Sequence, residues 1–112
     1  MDVNESVVKD VNVVKLAGDL DGNTAPNVQA EIMKLAIPNV KMILDMTGVS
    51  FMSSAGLRML LVMYRTIMSQ SGKVILVGLS EDIRDTMSMT GFLDFFTYLE
   101  TLDDGLKTLS IL

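Results

Sequence analysis

The sequence predicts a single α/β domain: a mixed, mostly parallel sheet of about five strands with about four helices. Three observations lead there. Residues 41–45 and 73–77 are short apolar runs that read as buried strands. Amphipathic stretches with capping residues separate them. After an opening pair of strands the two kinds of segment alternate, which implies βαβ crossovers and parallel pairing. Residues 42–44 and 74–77 are almost continuously apolar, the pattern of strands covered by helices.

Each element has its own grounds. Val7-Val8-Lys9 and Val13-Val14-Lys15-Leu16 flank Asp10-Val11-Asn12 and predict an antiparallel hairpin. Gly18-Asp19-Leu20-Asp21-Gly22-Asn23 is dense in turn formers and predicts a loop. A first helix is expected from Thr24-Ala25-Pro26. Thr24 can cap it, and Pro26 suits a first turn, where its missing N–H has no helical partner. Val28, Ile32, Leu35 and Ala36 share one face, and Pro38-Asn39 ends the helix. Lys41 to Asp45 follows as a strand.

The longest helix is expected over residues 54–69, after a short loop. Leu57, Leu60, Leu61, Tyr64, Ile67 and Met68 give it a continuous apolar face, and Ser71-Gly72 stops it. Residues 73–77 form the next strand, broken by Gly78. Ser80 caps a helix over 81–89 whose N-terminus is favoured by Glu81 and Asp82, and Gly91 stands where a C-terminal glycine belongs. Phe92, Phe95 and Phe96 anchor a short strand near Thr97-Tyr98, and a helix over 101–109 closes the chain. Met59, Val62 and Met63 lie at i, i+3, i+4 on another side of the longest helix, between Arg58 and Arg65. Either that helix is buried on both sides, or these three form an exposed patch for a partner.

Composition narrows the function. The chain has 112 residues, one ordinary domain over 1–112, too small for two lobes around a deep cleft. It contains no cysteine and no histidine, which removes thiolate chemistry, the commonest general base and the commonest transition-metal ligand. A formal net charge of −5 disfavours nucleic acid and anionic membrane surfaces. The start Met1-Asp2-Val3-Asn4-Glu5 lacks a signal-peptide pattern, and the apolar run from Met59 to Tyr64 is too short to span a bilayer. A cytoplasmic, non-membrane protein without a cofactor is expected.

Two constellations remain. Asp19, Asp21 and Asp45 could gather at one sheet edge and hold a hard cation for weak nucleotide hydrolysis, or they could be ordinary turn and strand-end residues. Ser53-Ser54-Ala55-Gly56 opens the longest helix. Either serine could cap that helix, or one hydroxyl could accept a phosphoryl group. A phosphate there would meet free backbone N–H groups at the positive end of the helix dipole and add roughly −1.5 to −2 charges near Asp19 and Asp21. The expected result is loss of a docking surface rather than unfolding. Gly56 beside it would let a partner or a nucleotide phosphate approach closely. The segment is neither a nucleophile elbow nor a P-loop, so on the acceptor reading the kinase is another protein.

The chain also resembles a known family. Gly18-Asp19-Leu20-Asp21 followed by Thr24-Ala25 is similar to the G-[DE]-L-D-x-x-x-[AT] segment of STAS domains. The run from Leu44-Asp45-Met46 through Val49, Phe51 and Met52 to Ser53-Ser54-Ala55-Gly56-Leu57 is similar to their L-D-[LM]-x-x-V-x-[FY]-[MI]-[DS]-S-[SAT]-G-[LI] segment. The resemblance, which extends to element order and length, is to free-standing STAS-like domains of bacterial anti-sigma factor antagonists. It implies a non-enzymatic switch. The unphosphorylated protein would bind an anti-sigma factor serine kinase, phosphorylation would release it, and a PP2C-type serine phosphatase would restore binding. The resemblance implies Ser54 as acceptor, with Ser53 second; many members carry Asp where Ser53 stands. It implies a docking surface of Asp19, Asp21, Asn23, Thr24, Ser53, Gly56, Leu57 and Arg58. A different outcome consistent with the family is a STAS subunit of a larger signalling or transport assembly.

Overall fold

A computed structural model describes residues 1–110. Strand β1 (Asp2–Val8) and β2 (Val11–Leu20) form the antiparallel pair, followed by α1 (Ala25–Leu35), β3 (Lys41–Met52), α2 (Ser54–Ser69), β4 (Lys73–Val77), α3 (Glu81–Met89), β5 (Thr97–Leu99) and α4 (Leu102–Ser110). The five strands lie in the order β1-β2-β3-β4-β5, and β2 to β5 are parallel. The expected α/β domain with a mixed, mostly parallel sheet is therefore present.

Sequential strand order decides where the helices go. Right-handed crossovers that all step in one direction place their helices on one face. Val28 and Ile32 of α1, Leu60 and Met63 of α2, and Ile83 and Met87 of α3 accordingly join one core with Val14, Leu16, Leu44 and Leu76 of the sheet. The opposite face has a smaller core of Val11, Val13, Ile43, Ile75 and Val77 under Leu109 of α4. Central strands buried on both faces are why residues 42–44 and 74–77 read as continuous apolar runs.

The structure alters several expectations. The hairpin turn is Lys9-Asp10, both at positive φ, rather than Asp10-Val11-Asn12. A two-residue turn of that kind sets Val8 opposite Val11, so Val11 is a fully buried strand residue. Gly18, Asp19 and Leu20 continue β2 instead of forming a loop. Likewise β3 does not stop at Asp45 but runs to Met52, leaving only Ser53 between strand and helix where a loop was expected. The two extensions pair with each other, Ala17 with Gly48 and Leu20 with Met52. Gly18 and Asp19 have poor β-propensity, whereas Thr47, Val49 and Phe51 favour a strand; the pairing between the two segments carries Gly18 to Leu20 into the sheet.

Helix α1 ends at Leu35, before Pro38, and Leu35 and Ala36 are half-buried. In α2 the expected apolar face loses Met68, which is 41% exposed. Met59 and Met63 are core, and Val62 alone of that stripe is exposed, so there is no Met-rich surface patch. Helix α3 starts as expected, with Ser80 accepting from the Ile83 N–H at 3.2 Å. Phe92–Phe95 forms a short 3-10 turn before β5.

Candidate functional site

The candidate site lies at the carboxyl ends of β2 and β3, where parallel α/β sheets commonly present their functional loops. Leu20 ends β2 beside Met52, which ends β3. The Ser53 N–H donates to the Leu20 carbonyl at 2.9 Å, tying the start of α2 to the end of β2. Gly56 makes this joint possible. A Cβ there would lie 2.6 Å from the Leu20 carbonyl oxygen and 2.9 Å from its Cγ. The close approach that Gly56 permits is thus made by Leu20 within the fold, and Gly56 is buried.

The two serines have different roles at the helix start. Ser53 has extended backbone and is the N-cap of α2, its Oγ accepting from the Gly56 N–H at 3.3 Å. The Leu57 N–H donates to the Ser53 carbonyl at 3.0 Å. Ser54 is the first helical residue, is exposed, and makes no side-chain hydrogen bond among the described residues. The Ser54 and Ala55 N–H groups stand at the open end of the helix, as first-turn donors do. The first turn of α2 carries no acidic residue. Serine and aspartate are similarly good caps.

The β2–α1 loop forms the second wall. The Asp21 carboxylate accepts from the Asn23 N–H at 2.9 Å and the Thr24 N–H at 3.1 Å. Thr24 Oγ1 accepts from the Asp21 N–H at 2.9 Å and lies 2.8 Å from the Asp19 carbonyl, to which it donates. Thr24 therefore occupies the N-cap position of α1 but uses its hydroxyl within the loop, without the expected side-chain cap bond. Asp21 and Thr24 hold the loop's shape, while Asp19, Asn23 and Arg58 are exposed. Leu57 is 5% exposed and contributes apolar lining rather than a projecting contact.

Asp19, Asp21 and Asp45 do not converge. Asp45 pairs in register with Lys15 and Val77, whereas Asp19 pairs with Phe51, six positions further along β3. At about 3.3 Å per residue that is roughly 20 Å. The Asp45 carboxylate instead accepts from the Thr47 N–H at 3.0 Å and the Thr47 hydroxyl at 2.6 Å. No group of three metal-ligating side chains is placed to hold an ion among the described residues. The three-carboxylate hydrolase arrangement is overturned by this separation.

Two concavities lie at the start of α2, and Ser54 lines the first of them. One, of about 290 Å³, lies toward α3 and is lined by Phe51, Ser53, Ser54, Leu57, Ile83 and Phe92. The other, also about 290 Å³, lies between α1 and α2 and includes Gly22, Pro26, Ala55, Arg58 and Val62. Phe51, 53% exposed, is a site residue that sequence reasoning missed. Simple alternation puts Val49 and Phe51 on one face. A register shift between Gly18–Val49 and Asp19–Phe51 leaves Ser50 unpaired and turns Phe51 outward.

The STAS domain family model matches residues 2–105. The anti-sigma-B factor antagonist of Bacillus subtilis is 26% identical over 109 residues, covering 96% of this chain and all of that protein. An anti-sigma factor antagonist from Mycobacterium paratuberculosis shares the fold with a TM-score of 0.85 at 27% identity, covering 96% of this chain and 92% of that one. The Bacillus cell fate determinant SpoIIAA in its phosphorylated form superposes with a TM-score of 0.73 at 21% identity, over 96% of this chain and 99% of that one. No helix among the described residues is long and apolar enough to cross a membrane. With strand order, both sequence segments and the family model in agreement over nearly its whole length, the chain belongs to the STAS domain family.

Proposed function

We propose that this protein is an anti-sigma factor antagonist, a binding module rather than an enzyme. Unphosphorylated, it binds an anti-sigma factor serine kinase through the β2–α1 loop and the start of α2. The kinase transfers the γ-phosphoryl group of ATP to the Ser54 hydroxyl, ADP leaves, and the complex separates. A PP2C-type serine phosphatase hydrolyses the phosphoester and restores binding. The observation that carries this reading is the division of labour at the helix start. Ser53 is engaged as the cap, while Ser54 is exposed with its hydroxyl uncommitted. A phosphate on Ser54 leaves the cap in place, so the fold survives while the local charge inverts. The names of the relatives support the partner class.

The test is mass mapping with the cognate kinase. Incubation with kinase and ATP adds one phosphate, Ser54→Ala abolishes it, and Ser53→Ala retains it. Phosphate mapped to another residue overturns the site. In pull-downs from source cells, Ser54→Asp recovers less kinase than wild type. Recovery of a stable complex without any kinase would point to the assembly-subunit alternative.

A further inference from the structure

We propose that Arg58 receives the phosphate of Ser54, and that this pairing withdraws a cation the unphosphorylated site offers to an acidic partner. The inference rests on the Ser54 reading above and names how the charge acts.

Helix α2 has an exposed ridge of Ser54, Arg58, Val62, Arg65 and Ser69. It carries two arginines and no carboxylate, on a chain whose net charge is −5. Arg58 is four residues after Ser54, one turn along the same face. Helical side chains lean toward the N-terminus, so the Arg58 guanidinium leans toward the turn that begins at Ser54. Anion before cation at this spacing is the favoured order. Arg58 is in neither of the two ion pairs of the described residues, Lys34–Glu31 and Arg84–Glu100.

The surroundings leave the phosphate little choice. The concavity that Ser54 lines has no cation in its lining and includes Asp82, while the neighbouring one, beyond Ala55, has Arg58 as its one cation. Asp19 is exposed beside Phe51. The guanidinium fork can give a phosphate two parallel N–H donors, which a lysine ammonium cannot match in geometry. Unphosphorylated, the ridge presents Arg58 and Arg65 to carboxylates of a partner. Phosphorylated, Arg58 is held by its own helix and the head of the ridge becomes anionic.

The experiment places phosphoserine at position 54 by codon-directed incorporation and follows its ³¹P shift against pH in low salt. Wild type is expected to show a second phosphate pKa about 0.3 unit below that of Arg58→Ala. Arg58→Lys retains part of the difference. Arg65→Ala leaves the pKa unchanged, because Arg65 lies about 16 Å from Ser54 along the axis. Equal pKa values in wild type and Arg58→Ala, or an equal rise in Arg65→Ala, overturn the pairing. Because the phosphoserine is installed during translation, the titration reads the pairing without a kinase. Phosphate mapping, by contrast, reads the switch, so either can fail alone.

Discussion

Gly56→Ala sets two physical effects against each other. Helix propensity alone predicts a gain, since alanine in a helix is better than glycine by about 1 kcal/mol. The tertiary joint predicts a loss. The new Cβ would sit 2.6 Å from the Leu20 carbonyl oxygen and 3.2 Å from its carbonyl carbon. These are backbone atoms that cannot rotate aside, and the same carbonyl accepts from the Ser53 N–H. Overpacking of this kind costs about 3 kcal/mol at its upper end. Subtracting the propensity gain leaves a net loss of about 2 kcal/mol, or a fall in Tm of about 8 °C for a chain of this size. Urea unfolding should show a lower midpoint at unchanged slope. The variant should also take up phosphate on Ser54 more slowly, because the helix start has moved away from β2. Stability equal to or above wild type would refute the account of Gly56 as a packing glycine.

Other substitutions separate the remaining roles. Ser53→Ala removes the cap acceptor and should cost about 1 kcal/mol, whereas Ser53→Asp should hold stability; both are read by thermal unfolding. Met63→Ala, at a fully buried site, should lose 2–5 kcal/mol by the usual range of such truncations, roughly, while Val62→Ala on the exposed ridge should stay within about 0.5 kcal/mol. Glu5 of β1 faces Glu31 and Lys34 of α1. Reduced hydration where Glu5 approaches α1, and then the Glu31 carboxylate, raise the pKa of the exposed Glu5, while the Lys34 hydrogen bond lowers that of Glu31. A raised carboxyl contributes stability at acid pH that is lost as pH rises through its folded pKa. Glu5→Gln should therefore raise Tm slightly at pH 7 and leave it unchanged near pH 3, where Glu5 is already protonated; the reverse pattern would refute the pairing.

How much was legible in the sequence follows from how local each signal is. The bounds of α2, β4 and α3 came directly from it, because caps, periodicity and breakers act within a few residues. The two family segments could also be read directly, and with them the pair Ser53-Ser54. The roles of those serines could not. Which one caps is settled by the extended backbone of Ser53, held by its bond to Leu20 across the sheet. Gly18 to Leu20 looks like turn material in isolation, yet it forms a strand because Gly48 to Met52 completes its hydrogen bonding. The outward turn of Phe51 and the burial of Met59 and Met63 are tertiary as well. One depends on a register shift between strands, the other on two further helices packing on the same sheet face. Sequence by itself thus determined the elements, their order, the family and the two serines. The tertiary structure decided which glycine is spent on packing, which carboxylates stay apart, and which hydroxyl is left free.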